Sequence, residues 1–263
     1  MKANIVGLDI ETFPHLGYSW VTSSYKGSWN MIKVVRPSYI LCVGVKIGHS
    51  KTKIYSIRDY SEYKKNPRND FFLMKDLHDV LMNADIVYGW NSKRFDVKKL
   101  YAKFLEYGFP PVTAFKQVDA MQEWNKLAKD GSSRLNDVAE RLGYGHKMDH
   151  DGFPLWEGCD NGDLKAWSKM ERYCVRDVNL TYKIYKHLRP WMPNHPNVNN
   201  YSRDILACSA CGKRKFLIKR GFAPAGQRRR QIYHCTPNRG GCGKYCSGEL
   251  IPQDPNNKLI IIK

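Results

Sequence analysis

The residues that most restrict the fold lie near the start of the chain. The run Ile5-Val-Gly-Leu-Asp-Ile-Glu-Thr12 is apolar at first and then turns abruptly acidic. An apolar run of that length reads as a buried strand. Side chains alternate along an extended chain, so Asp9 and Glu11, two apart, project to the same face. Two carboxylates held that close repel, and each raises the other's proton affinity unless a cation lies between them. A hard dication that prefers oxygen ligands, Mg²⁺ or Mn²⁺, resolves the conflict. The alternative is a pair of solvated acids at a strand end.

The remainder of the chain supplies further strands and helices. Residues 13–38 are rich in aromatics without a clean period and read as an ordered insertion. YILCVGVKIG at 39–48 suits a central strand, and KTKIYSI at 51–57 its hairpin neighbour. FFLMKDLHDVLMNA has helical spacing, DIVYGW follows as a strand, and FDVKKLYAKFLEYG is an amphipathic helix stopped by Gly108 and Pro110. SSRLNDVAERLG predicts a shorter helix with a serine cap and a glycine stop. Residues 162–188 form a long helical stretch of one or two helices. Strands first, then strand and helix interleaved, indicate an α/β fold with a mixed sheet.

Three more residues extend the acidic pair. Asp96 follows the strand DIVYGW in the string GWNSKRFD, which puts Asn91 in the turn and Asp96 at a helix start, where an acid also caps exposed amides. Asp177 falls on a late helix, with Tyr173 four residues earlier on the same face. Each piece alone has an ordinary structural explanation.

Taken together, Asp-Ile-Glu-Thr at 9–12, GWNSKRFD at 89–96, LNDVAERLG at 135–143 and YCVRDVNLTY at 173–182 resemble, in order, the exonuclease motifs of the DEDD superfamily. The nearest likeness is to the proofreading domains of family B DNA polymerases. Arg172 and Tyr173 before Asp177 indicate the tyrosine branch rather than the histidine branch. The likeness covers roughly residues 4–190, and the arrangement with a C-terminal cysteine cluster is similar to stand-alone exonuclease-like proteins common in bacteriophages. The residues that remain are too few for a polymerase domain.

The resemblance implies a ribonuclease-H-like mixed β-sheet flanked by helices, and removal of nucleotides from 3′ ends, of single-stranded DNA in preference to RNA. Two Mg²⁺ or Mn²⁺ ions about 4 Å apart would lower the pKa of a water and steady the departing oxygen. Asp9 would bridge them, Glu11 and Asp177 would complete one site, and Asp96 would hold the second ion through water. Tyr173 would orient the attacking water, a role that suits a phenol largely neutral at pH 7. Thr12 and Asn91 are implied as nucleotide contacts, Asn91 alternatively as a steadier of its loop, and Phe95 as core packing. Tyr18, Trp20, Tyr25 and Trp29 in the insertion either stack unpaired bases or form a satellite cluster.

Five of eight cysteines fall in the last quarter, which argues for metal over disulfides. Cys208-Ser-Ala-Cys211-Gly-Lys is a zinc knuckle, and Cys242-Gly-Lys repeats its ending with Cys235 as partner. Four thiolates around a basic, strand-like run match a zinc ribbon holding one structural Zn²⁺. Cys246 is left over, and a set that uses it in place of one of the four is the alternative. Cys42 and Cys174 read as buried small residues.

The formal charge of +18 favours polyanions. Residues 201–263 contribute 13 Lys/Arg against 3 Asp/Glu. Lys213, Lys215, Lys219, Arg220, Arg228, Arg229 and Arg230 would therefore clamp phosphates. The alternative is a ribbon that docks a replication or repair protein. The Pro- and Asn-rich stretch from Arg189 to Asp204 breaks periodicity. It divides the chain into a domain over 1–190, a linker over 191–203 and a ribbon with its tail over 204–263. No run approaches the ~18 apolar residues of a membrane span, and MKANIVGLDIETF is too short and too soon acidic for a signal peptide. The expectation is a soluble, cytoplasmic protein of a reducing interior, with no membrane partner.

Overall fold

In the computed structural model, residues 3–20, 31–128, 131–201, 207–225 and 228–250 are described. They divide into two compact units, one spanning Asn4–Tyr185 and one running from Lys186 onward.

In chain order the first unit contains β1 (Ile5–Phe13), the short hairpin β2 (Leu16–Tyr18) and β3 (Lys33–Arg36), then β4 (Tyr39–Ile47) and β5 (Lys53–Ser56). It continues with α1 (Phe71–Met82), β6 (Ile86–Gly89), α2 (Asp96–Glu106), β7 (Lys116–Asp119), α3 (Ala120–Leu127), α4 (Leu135–Arg141), α5 (Pro154–Asp160) and α6 (Leu164–Leu188). The main sheet has the order β5-β4-β1-β6-β7. β1 pairs antiparallel with β4 and parallel with β6, and β6 pairs parallel with β7. The expected mixed sheet flanked by helices is present.

The pattern of burial follows the sheet. β4 is buried at eight consecutive positions, as a strand covered on both faces requires. Val6, Leu8 and Ile10 of β1 join Leu73 and Leu77 of α1, Leu100 and Phe104 of α2, Leu155 of α5 and Trp167 and Met170 of α6 in one core. Pairing of β6 with β1 stops at Gly7, so β1 runs on past its parallel neighbour and carries Asp9 and Glu11 beyond it. A bulge between Glu11 and Thr12 then shifts the register against β4.

The structure decides between some local alternatives and corrects other expectations. The long helical stretch is one uninterrupted helix of 25 residues. The serine cap expected for α4 is absent: Arg134 is the N-cap without a side-chain bond, and Ser132 Oγ instead accepts the Arg134 amide at 3.2 Å. Gly143 does end that helix, at a φ of 71°. Phe95 is not core packing but 41% exposed. Tyr18 and Trp20 are exposed rather than clustered, whereas Tyr25 and Trp29 lie outside the described residues.

The second unit holds β8 (Leu217–Ala225), β9 (Arg228–Cys235) and β10 (Tyr245–Leu250), an antiparallel sheet in the order β10-β9-β8. Of the stretch read as a linker, the described residues 191–201 pack within this unit. Met192 and Val198 are buried, the Val198 amide donates to the Ser209 carbonyl at 3.0 Å, and Lys244 Nζ donates to the Met192 carbonyl at 2.7 Å.

Candidate active site and zinc site

Four carboxylates meet where β1, α2 and α6 converge. Each arrives there for a local reason. Asp9 and Glu11 share the face of β1 turned toward α6, and their oxygens lie within 4.8 Å of one another and of the Cys174 sulfur. Cys174 Sγ also donates to the Asp9 carbonyl at 3.5 Å. α6 can come this close because β4 presents Gly44: a Cβ there would stand 2.7 Å from Val178 Cγ2 and 3.1 Å from Cys174 Sγ. Asp177 lies on this same helix, and Tyr173 one turn before it.

Asp96 opens α2, and its Oδ1 accepts the backbone amide of Ile10 at 3.0 Å. That amide, between the two acids of β1, has no partner from β6, whose ladder has already ended. The turn before α2 is organised by a residue that sequence reasoning passed over. Asp119 Oδ1 accepts the amides of Met121 and Gln122 as cap of α3, and also the Asn91 amide at 3.0 Å, while Oδ2 accepts the Lys93 amide at 3.1 Å. Asn91 adopts the left-handed conformation at φ 59°. That backbone geometry turns the chain between β6 and α2. The capping pattern of Asp119 with Gln122 three residues on was the signal that could have found it.

The electrostatics are those of like charges confined together. Burial, then Asp96, Glu11 and Asp177, hold the Asp9 carboxyl well above the usual carboxylate range. Burial and Asp177 push Glu11 up to about 8. Burial pushes Asp96 up to about 7, against the opposing bond from Ile10. Asp177 is raised chiefly by burial, and its Oδ1 is a buried oxygen that accepts no hydrogen bond.

A second unforeseen residue answers this charge. Lys147 Nζ is ion-paired with Asp177 Oδ2 and lies 4.9 Å from the centre of the Tyr173 ring. Burial would lower its proton affinity, but Asp177 and Tyr173 together raise it, so it stays an ammonium. The loop that carries it is tied at both flanks. Asn136 Oδ1 accepts the Lys147 amide at 2.8 Å, and Arg176 donates twice to the His146 carbonyl, at 2.9 and 2.8 Å. A lysine in a glycine-rich coil (GYGHKMDHDG) carries no periodic signal, which is why it was missed. Tyr173 is buried, with His150 edge-on at 5.0 Å; burial, reinforced by Asp177, raises its phenol above the ordinary value.

This donor set fits hard divalent ions. Four oxygen ligands repel, take up protons in the absence of a counter-charge, and leave one buried oxygen unsatisfied. Cys174, by contrast, keeps its proton: a hydrogen bond with Cys42, together with burial, lifts its thiol well above the ordinary value.

In the second unit Cys208, Cys211, Cys235 and Cys242 bring their sulfurs within 4.8 Å of one another. That tetrathiolate suits zinc, with no position left open. Cys246 is also buried nearby, 3.6 Å from Cys208 Sγ, but accepts from Ser209 Oγ at 3.4 Å. The basic residues Lys215, Lys219, Arg220, Arg228, Arg229 and Arg230 are exposed; Lys213, exposed as well, spends its ammonium on the Gly240 carbonyl at 2.8 Å. Thr12 is half-buried at the β1 bulge.

Residues 36–189 match the family model described as the RNase_H superfamily. The chain belongs to the RNase H superfamily. Among solved structures that resemble it is the family B DNA polymerase from the hyperthermophilic archaeon Pyrobaculum calidifontis, with a TM-score of 0.53 and 17% identity. The match takes in 72% of this chain and 25% of the polymerase chain, so this RNase H-like protein spans about a quarter of that relative's length. A comparison with curated protein sequences found no match. The superfamily supports a nuclease, and hence a nucleic-acid substrate. Among the described residues no helix is long and apolar enough to cross a membrane.

Proposed function

We propose that this protein is a divalent-metal-dependent 3′–5′ exonuclease of the tyrosine branch, acting on single-stranded DNA ends. The convergence of Asp9, Glu11, Asp96 and Asp177 from three separate elements, with Tyr173 on the same helix as Asp177, carries the reading. Asp9, Glu11, Asp96 and Asp177 would hold two Mg²⁺ or Mn²⁺ ions, which supply a lowered pKa for the attacking water and charge neutralisation at the leaving 3′ oxygen.

The chain's own groups do the rest. Tyr173, kept neutral, donates or accepts a hydrogen bond to orient the water and is not its base. Lys147 balances the anionic cluster from the Asp177 side and can turn its ammonium toward the scissile phosphate. The exonuclease domain occupies residues 1–190. The ribbon over 204–263 would hold one structural Zn²⁺ and clamp phosphates with Lys213, Lys215, Lys219, Arg220, Arg228, Arg229 and Arg230, and Thr12 would contact the terminal nucleotide. A cytoplasmic setting, in the bacterial host if the chain is phage-encoded, fits thiolates that must stay reduced.

The test is digestion of matched single- and double-stranded DNA and RNA labelled at the 5′ end, with Mg²⁺ or Mn²⁺. A ladder shortening from the 3′ end of single-stranded DNA, abolished by Asp9→Ala, is expected. Equal or faster loss of RNA would reassign the substrate, and no products from pure protein would leave a non-catalytic binding or recruitment role.

A further inference from the structure

The β8–β9–β10 sheet carries an aromatic pair that no step of the proposed reaction uses. His234 of β9 and Tyr245 of β10 are direct cross-strand partners, their rings 4.3 Å apart and 14° from parallel. Ile218 of β8 is the next partner of His234 across the sheet. Alternate residues of a strand share a face, so Ile232, Arg230 and Arg228 lie in line with His234. One face therefore presents a stacked pair, two aliphatic side chains and two exposed arginines.

We propose that this face is a stacking platform for an unpaired nucleobase, with Arg228 and Arg230 holding the flanking phosphates. The proposal rests on the ribbon's being a nucleic-acid clamp and adds how it selects its ligand: a base whose π-face is free, as in a single strand. Tyr245 is 60% exposed although one side of its ring is covered by His234. A ring recruited only to tie two strands together would bury more of itself; here the uncovered part is offered to solvent on an edge strand. Charge complementarity names the occupant. This segment carries 13 Lys/Arg against 3 Asp/Glu, so a polyanion is favoured over an acidic-poor protein surface. Stacking adds affinity without reading sequence, since every base has a π-face.

The opposite face is different. There Phe222 is exposed, but the Arg229 guanidinium already sits 5.2 Å over its ring, and Tyr233 packs against the backbone at Gly248. A bulge at Lys219–Gly221 turns Arg220 out of the ladder beside it. That face offers charge and no stacked pair open to solvent.

The experiment is fluorescence anisotropy of a 5′-labelled oligothymidine of about twenty nucleotides, and of the matching duplex. It uses the full-length zinc-loaded chain in magnesium-free buffer across a salt series. Tyr245→Ala should weaken single-strand binding about tenfold, change duplex binding little, and leave the slope of log affinity against log salt unaltered; Tyr245→Trp should restore affinity. Arg230→Ala should instead flatten that slope by about one. Zinc content and melting temperature, unchanged in each variant, separate these effects from misfolding. Unchanged single-strand affinity in Tyr245→Ala overturns the platform, as does an equal loss for the duplex. If Arg228, Arg229 and Arg230 replaced together by alanine still weaken binding in that case, the clamp stands without the platform. If they too have no effect, the clamp reading itself has failed and a protein-docking ribbon takes its place.

Discussion

The Asp96 carboxylate accepts the amide of Ile10 at 3.0 Å, and that amide lies between Asp9 and Glu11. The bond joins the acid of α2 to the acidic end of β1 and keeps Asp96 at the site whether or not it carries charge. Asn at position 96 preserves the acceptor and removes the charge. Asp96→Asn is therefore expected to fold as well as the parent, or to be more stable by about 1 kcal/mol above pH 7, while losing activity at least 100-fold. Urea midpoints and exonuclease rates measured side by side check both halves.

The raised carboxyls make stability depend on pH in a stated direction. Glu11 rises from 4.5 to about 8 and Asp96 from 3.8 to about 7 on folding. Folded values above unfolded ones mean that the folded protein binds more protons through this window. As far as these groups are concerned, the metal-free protein should accordingly be most stable below about pH 4, where both carboxyls are protonated folded or unfolded, and lose stability as pH rises to about 8. Magnesium, by occupying the cluster, should restore more stability at pH 8 than at pH 5. Melting curves at unit pH steps with and without magnesium measure the difference.

Gly44 sets how near α6 comes to the sheet, since a methyl group there would meet Val178 at 2.7 Å. Gly44→Val should destabilise the protein by about 1–3 kcal/mol, the usual penalty of overpacking. It should also lower activity further than the stability loss explains, because Tyr173 and Asp177 are displaced with the helix.

Much of this architecture was legible beforehand because it rests on periodicity and on charge placed where apolar runs end. β1, β4, β6, α1 and α2 all fall inside apolar or amphipathic runs; Asp9 and Glu11 follow the apolar start of β1 and Asp96 opens α2, whereas Asp177 sits in the middle of α6. What was not legible depends on long-range contacts. β7 is only four residues with a single strongly apolar member, Val118, and pairs with β6 at the sheet edge. Phe95 looks like core in a string but is turned outward by the left-handed turn at Asn91. Lys147 is one of many lysines until the loop ties from Asn136 and Arg176 set it beside Asp177.

Lys147 yields a prediction of its own. It lowers the proton affinities of Asp9, Glu11 and Asp177. Removing its charge in Lys147→Met should make those carboxylates harder to ionise, moving the acid limb of the activity–pH profile to higher pH and reducing the maximal rate at least tenfold. Lys147→Arg should return the limb toward its original position. A profile that keeps its midpoint in Lys147→Met would show that the lysine is structural.

The zinc ligands separate by the same kind of comparison. Cys242 belongs to the set of four sulfurs within 4.8 Å, whereas Cys246 is engaged by Ser209. Cys242→Ser should lose bound zinc and melt the ribbon, which has little core without its ion. Cys246→Ser should retain one zinc per chain by elemental analysis.

If Asp9, Glu11, Asp96 and Asp177 act together as ligands for divalent ions, calorimetric titration with Mn²⁺ will register it. The zinc-loaded protein should bind about two Mn²⁺ per chain. Asp9→Asn should abolish the tight component while the circular dichroism and zinc content stay as they were. Identical Mn²⁺ isotherms for the parent and Asp9→Asn would mean that these four carboxylates do not form a shared metal site.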